Sequence, residues 1–465
     1  MHTQRDPGQG PLIHLFLACI ATIGVILVFR VPPMGGFDEP FHWRRTLQIA
    51  GGHPFAARLG PNDWGGRLDR RALDFEGSAD QTIAAGQPMS IPALAALSAQ
   101  LATEPRRSSV ASFPSTASFS PVPYLPAAVG LAAAHWLHLG LLSQVHAGRL
   151  ANFAAYLLLV WCVLRVLPLG RLSALALLTV PTALHLASSF SADPLCNALP
   201  ALLAACCLRL HMEPDRLPPR FWRTALLLLV VLVGLLKPIG FVLSGLVLLV
   251  PARLFASPRS AWGFRIGAMA ACFAVTAGWN LFYPFVPGRY WHTGADPHAA
   301  IAALAHAPMH GVAVLLRNGW NDRWFWWVDG WGRYGGGPGA YHFTTPESLA
   351  GLFLLSLGAL TIADRSRFRV QPAAAALLVV LAIAYVALLL LAFRIGYGPP
   401  LSDFIDGVQG RYLLLPEFLV LLAVALSLPR QVHARRLAPI ALILCLLTDG
   451  GAAIIALGHY AGVWH

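Results

Sequence analysis

Residues 120–142, SPVPYLPAAVGLAAAHWLHLGLL, decide how the chain is threaded. The run is apolar enough to be a span, yet it begins with Pro121, Pro123 and Pro126 and carries His135 and His138 near its end. Those features suit a helix lying in the outer interface of a bilayer. The arginines choose between the two readings. If the segment does not cross, the linkers holding Arg165 and Arg171, Arg209 to Arg223, Arg253 to Arg265, Arg365 to Arg369 and Arg430 to Arg436 all share one side. By the positive-inside rule that side is the cytoplasm. If it crosses, all five linkers move outside, against the rule. The segment is therefore expected to be embedded from the outside, with the N-terminus in the cytoplasm.

The rest of the composition agrees with a membrane protein. Of 465 residues, 57% are hydrophobic and only 12% charged, where soluble domains carry about 25% charged residues. Eleven apolar runs reach or approach spanning length. They lie near 11–30, 147–167, 172–187, 194–211, 222–236, 238–254, 262–283, 346–362, 372–393, 410–428 and 437–457. The first has no small-residue cleavage site after it and is expected to stay as a helix. The fold class predicted is all-α, a polytopic bundle of about eleven spans forming a single integral membrane domain over 1–465. Net charge is +12 and comes almost wholly from arginine, since Lys237 is the only lysine. Arginines placed in short linkers orient a membrane protein, so no nucleic-acid partner is expected. The seven cysteines lie in apolar segments without metal-site spacing, so neither a disulfide framework nor a zinc site is expected.

Two large external loops follow from this topology, 31–146 with interfacial helices and 284–345. Polar chemistry gathers on that face. In PMGGFDEPFHWRRTLQIAGG (33–52), Pro40 makes Glu39 the expected cap of a short helix. Asp38 and Glu39 then stand at its positive end, with His42 one turn in. Such a cluster can hold a divalent cation or take a proton from a hydroxyl nucleophile; the plainer alternative is a pair of capping acids. Asp193, in SFSADPLCNAL, stands at the outer end of a span and reaches Asp38 only if the spans enclose a common outer cavity. Lys237, before Pro238, and Arg411, in GVQGRYLLLP beside Tyr412, put cations at the outer ends of spans. Both suit a phosphate, the plainer reading being a snorkelling side chain. The second loop holds Trp320, Trp324, Trp326, Trp327 and Trp331 with Asn321, Asp322 and Asp329 between them. Aromatic faces with interleaved acids suit sugar rings, although tryptophan belongs at membrane interfaces in any case.

In order along the chain, DEPFHWRR…IAGG, SPVPYLPAAVG, GRLANFAAYLLL, SFSADPLCNA, LLKPIGF and GVQGRYLLLP resemble a widespread bacterial family of polytopic membrane proteins. That family is labelled as of unknown function and grouped with the GT-C class of glycosyltransferases. The resemblance runs from about residue 31 to about 420. It implies transfer of a sugar from a polyprenyl-phosphate donor, on the periplasmic face of the bacterial inner membrane, to a cell-envelope glycan or lipid-linked acceptor. It further implies that Asp38 is the catalytic acid, with Glu39 and His42 beside it. Asp193 is then the second acid, sharing a metal (Mg or Mn) with Asp38 or orienting the acceptor. Lys237 and Arg411 neutralise the donor phosphate, and Trp320, Asp322, Trp327 and Tyr412 contact sugar or acceptor. The competing expectations are a transporter or flippase of lipid-linked sugars, and a polymerase or ligase using a pyrophosphate-linked donor. A transporter should show inverted repeats and broken helices, which the two chain halves do not suggest.

Overall fold

The computed structural model describes residues 9–61, 63–213, 219–283, 295–335, 343–363, 370–428 and 437–462. Helix α1 (Gln9–Arg30) ends in a buried turn at Val31–Phe37, from which α2 (Glu39–Ala50) starts. The N-cap is Asp38, one residue before the expected Glu39, because Glu39 already has its carboxylate turned inward. Next comes an antiparallel hairpin, β1 (Ala57–Gly60) and β2 (Asp63–Asp69). Asp69 then caps α3 (Arg70–Ala84) by accepting from Arg71 N at 3.0 Å, and Ser90 caps α4 (Ile91–Thr103). Strand β3 (Ser108–Ser112) returns to pair with β2, Gly65 opposite Ser112. This three-stranded sheet adds to the helices expected in the 31–146 loop. Its strands are short and rich in Gly, Ser and Arg, so no apolar alternation marked them. They are held by Trp64, Leu68, Ala111 and Phe113, which bury one face.

After α5 (Pro114–Ala117) and a 3₁₀ turn at Val122–Tyr124, α6 (Leu125–Trp136) runs for 12 residues. That length is about 18 Å, short of a hydrocarbon core of roughly 30 Å. As a single helix, the segment that set the threading is therefore shorter than a membrane span. Gly130 brings it against α7 (Leu141–Val166), since a Cβ there would lie 2.5 Å from Ala147 O. Another expected run, 172–187, is two short buried helices, α8 (Arg171–Leu178) and α9 (Pro181–Ala187). Pro181 has no N–H to give the ladder and forces Val180 into extended backbone.

Helix α10 (Asp193–Met212) is the most enclosed of the membrane-length helices and packs against α7, α9 and α18. The chain continues through α11 (Pro219–Gly234), a 3₁₀ helix Pro238–Leu249 that follows Lys237, and α12 (Pro258–Phe282). Where the second loop was expected, α13 (Pro297–His306) and α14 (Pro308–Asn321) form an apolar pair bent by 109°. Helix α15 (Arg323–Gly332), a two-residue ladder of β4 (Arg333–Tyr334) and β5 (Phe343–Thr344), α16 (Glu347–Ala363) and α17 (Pro372–Gly396) follow. A 3₁₀ turn at Gly410–Leu413 leads into α18 (Leu414–Ser427), and α19 (Ala438–Ala461) closes the bundle.

Among the described residues seven helices are long and apolar enough to cross a membrane, or eight if the bent pair is one span. These are α1, α7, α10, α12, α17, α18 with its 3₁₀ lead, and α19. The four other runs read as spans form the shorter elements α8–α9, α11, the 3₁₀ helix and α16. The chain is thus a predominantly helical, polytopic membrane protein, with a three-stranded and a two-stranded sheet among the described residues. A continuous apolar core runs from Phe16 of α1 through α7 and α10 to Phe418 of α18 and Cys445 of α19. A second cluster, with Trp43, Phe75 and Phe190, fixes the 31–146 region to the turn that precedes α10.

Candidate active site

The site begins with an arginine that the sequence reading did not single out. Arg149 of α7 is fully buried and grips Glu39 with two parallel hydrogen bonds, Nε to Oε1 at 2.8 Å and Nη2 to Oε2 at 2.7 Å. It also donates to Val31 O at 2.6 Å and Pro32 O at 2.8 Å, carbonyls at the exit of α1. Glu39 in turn accepts from Gly36 N at 2.8 Å and Phe190 N at 2.9 Å. Charge-assisted bidentate pairs of this kind are strong and geometrically specific. They spend every lone pair of Glu39 on holding three pieces of chain together. With its acceptors so taken, Glu39 anchors the start of α2.

That anchoring leaves Asp38 in an unusual state. Its backbone is left-handed, φ 52 and ψ 20, and its carboxylate makes no capping bond to α2. A non-glycine residue is strained there. Its side chain, 43% exposed, instead accepts from Arg411 Nη2 at 3.0 Å. Arg411, from the 3₁₀ lead of α18, is buried and reaches Asp193 as well, Nε to Oδ2 at 3.3 Å. Asp193, at the start of α10, accepts from Lys237 Nζ at 2.5 Å through its other oxygen. Lys237 lies 4.8 Å from the ring centre of Tyr412, and Arg411 lies 4.6 Å from that of Phe37. Two acids and two bases from four distant parts of the chain thus form one chain of charge, Asp38–Arg411–Asp193–Lys237. Among the described residues, Arg411 Nη1 is buried without a hydrogen-bond partner. A buried guanidinium with a spare donor is an incomplete anion site.

His42 lines the same place from α2. Its Nδ1 is 2.8 Å from the Tyr124 hydroxyl. Burial pushes the imidazole down to about 4, outweighing the pull of the Asp38 and Asp193 carboxylates. It is therefore neutral near pH 7 and keeps one nitrogen as donor and one as acceptor.

The structure brings Asp38, His42, Asp193, Lys237, Arg411 and Tyr412 together. It does not bring the tryptophan loop to them. Trp327 donates to Ala350 O at 3.3 Å and stacks on Phe353, while Trp320 lies exposed under Arg323. Asp322 joins Arg317, Asn318 and Asp403 around a separate surface cleft. What α15 does supply is support. Asp329 is buried, accepts from Gly410 N at 2.6 Å and pairs with Arg333 Nη1 at 2.6 Å. Arg333 lies 5.5 Å from the Phe37 ring centre, so that ring meets two guanidinium groups. An acid and an arginine four residues apart in an aromatic helix was the available signal. For a divalent cation the donor set is unsuitable: Arg411 stands between the Asp38 and Asp193 carboxylates and already neutralises both. No group of three His, Cys, Asp or Glu able to hold a metal occurs among the described residues.

Residues 21–443 match a family described as a predicted membrane protein (DUF2142). Neither a curated protein nor a solved structure matches the chain.

Proposed function

Since the chain belongs to this family of predicted membrane proteins, whose description carries no activity, we propose from the site itself that it is a glycosyltransferase using a polyprenyl-phosphate-linked sugar. The observation that carries the reading is the strained, exposed carboxylate of Asp38 set against the buried Arg411 and the half-buried Lys237. Such an arrangement suits a displacement at an anomeric carbon. Asp38 takes the proton of the acceptor hydroxyl, the acceptor oxygen bonds to the carbon, and the bond to the phosphate oxygen breaks. The electrons of that bond leave with polyprenyl phosphate. Arg411 Nη1 and Lys237 face the charge that grows there, which is where fixed cations lower a barrier most. A single displacement inverts the anomeric configuration. Asp193 holds both cations in place, and His42, neutral, offers a hydrogen bond to the sugar or acceptor. No step requires a metal.

The site opens on the periplasmic side of an inner membrane crossed about eleven times, with residues 31–146 and 284–345 outside. The acceptor is a cell-envelope glycan or lipid-linked glycan. The deciding experiment follows release of free polyprenyl phosphate from a lipid-phosphosugar pool by purified protein, with and without chelator. Wild type is expected to release it in either condition, and Asp38→Asn to be slower by roughly 10² to 10⁴-fold, the usual contribution of a general base. Donor bound by both proteins but released by neither would favour a transporter of lipid-linked sugars. Equal release by both would remove Asp38 from catalysis.

A further inference from the structure

A cavity of about 530 Å³ lies in the 31–146 region, walled by α2, β2, α3, α4 and α6. That volume is within the usual range of small-ligand sites, roughly 300–1,000 Å³. None of the residues of the carboxylate–cation cluster lines it. Helix α2 joins the two places. Asp38 stands at the N-terminal end of that helix, whereas Leu47, Gln48 and Ala50 near its C-terminal end form part of the cavity wall. The 12 residues of α2 put about 18 Å between them.

The lining has two characters. Its floor is apolar, with Leu68, Leu101 and Leu131 buried beneath it. Its mouth is basic, with Arg67, Arg71 and Arg106 joined by His53, His135 and His138. One acid, Asp69, lines it as well, and Arg71 already neutralises that acid at 2.6 Å. Arg67 donates to Ser108 Oγ at 3.0 Å, and among the described residues neither Arg67 nor Arg106 pairs with a carboxylate. Three arginines against one carboxylate, which Arg71 and Arg106 both hold low, leave the mouth with an excess of fixed positive charge among the described residues. Burial first, and then the nearby Arg106 guanidinium, hold His135 below its ordinary value.

The rim says where the occupant comes from. Trp136 is 79% exposed, and Leu137 and Leu139 beside it are exposed too. Large apolar side chains with a tryptophan among them belong at the level of lipid headgroups. His138, next in line, holds a left-handed backbone at φ 58, a conformation that costs a non-glycine residue energy and that turns the chain back over the cavity. Exposed apolar rim, cationic mouth and apolar floor form one continuous path from the bilayer surface inward.

We propose that this cavity seats the headgroup of an anionic phosphate-bearing lipid, one whose phosphate carries no compensating cation, at a site separate from the cluster of Asp38 and Arg411. The phosphate lies between Arg67 and Arg106, and the first carbons of the lipid leave across Leu137 and Leu139. Arginine is suited to this because its fork of donors matches phosphate oxygens. The site stands whether or not the cluster transfers a sugar.

The test uses the full chain in neutral detergent micelles and phosphatidic acid carrying a photoactivatable diazirine near its headgroup, with adducts mapped by mass spectrometry. Adducts are expected on residues 98–106 and 131–141, falling at least tenfold in the double variant Arg67→Gln, Arg106→Gln. Both side chains are exposed and outside the ion pairs of this region, so the variant is expected to fold, which gel filtration and the melting temperature verify. A phosphatidylcholine probe of the same chains is expected to label these segments at least tenfold less. The proposal is overturned by adducts elsewhere only, by labelling that the double variant leaves unchanged, or by equal labelling from phosphatidylcholine. Displacement of the probe by an equal concentration of inorganic phosphate would also overturn it, by making the occupant a soluble anion.

Discussion

Arg149 and Arg411 are both buried arginines held by carboxylates, and they do opposite things. Arg149 closes a pair in which each donor and acceptor is met. Taking one partner from a buried pair leaves an uncompensated charge, at about 3–5 kcal/mol. Arg149→Met is therefore expected to lower the melting temperature in detergent sharply, with Glu39→Gln doing less because an amide still accepts. An Arg149 variant that loses activity at full stability would contradict the structural role of the pair. Arg411 leaves a donor open, so its loss should register in turnover first. His42 belongs to this scale as well. Its imidazole sits at about 4 in the folded chain against 6.5 without the fold. Between those values the unfolded chain binds more protons, so stability falls as the pH drops from about 6.5 to about 4. His42→Gln is expected to flatten that slope of melting temperature against pH; an unchanged slope would assign it to other groups. At this scale the sequence was informative. Six residues named from short polar motifs do meet, because acids and cations at span ends have few other reasons to be there. Arg149 was passed over as part of an apolar run, and Asp329 was read only as an acid among tryptophans, though a charge inside such a run is itself a functional signal.

Elements position those residues through backbone contact more than through side chains. The 3₁₀ turn that carries Arg411 lies directly on α15. A Cβ at Gly410 would stand 1.9 Å from Trp326 O and 2.2 Å from Gly330 N. Gly410→Ala must push the two elements apart, and overpacking of this kind costs about 1–3 kcal/mol. The expected result is a modest loss of stability with a larger loss of turnover, since Arg411 moves with the turn. Equal turnover in Gly410→Ala would show that this contact does not set the position of Arg411. The helix count was less legible than the site for a related reason. Hydropathy reports how long an apolar run is but not whether it stays one helix. The run at 172–187 breaks at Pro181, and 238–249 winds as a 3₁₀ helix. The strands of the 31–146 region escaped altogether, because register with a partner about 40 residues away decides them, as Arg67 opposite Val110 shows.

For the whole molecule the open matter is sidedness, and the short α6 makes it testable. Alkaline phosphatase, active only outside the cytoplasm, is expected to be active when fused after Gln87 and inactive after Ser257. Activity at both points would mean that residues 120–142 cross after all, and would turn the arginine linkers outward. The family match extends over 21–443 and so covers nearly every element of the site, from α1 to α18. The arginine pattern could be read without a structure because it is a property of the whole chain. The bent pair α13–α14 could not, since a break of 109° depends on local packing.

The bond between Arg411 and Asp38 joins residues 373 positions apart. During synthesis Asp38, Asp193 and Lys237 leave the ribosome long before Arg411 does. At about 5–20 residues per second, the interval between Lys237 and Arg411 is roughly 10–35 s. For that time Asp193 has a partner and Asp38 lacks its own. A chain cut short before Gly410 carries an acid at the bilayer surface without the arginine that neutralises it. The last charge to arrive thus both completes the site and distinguishes a finished chain from a truncated one.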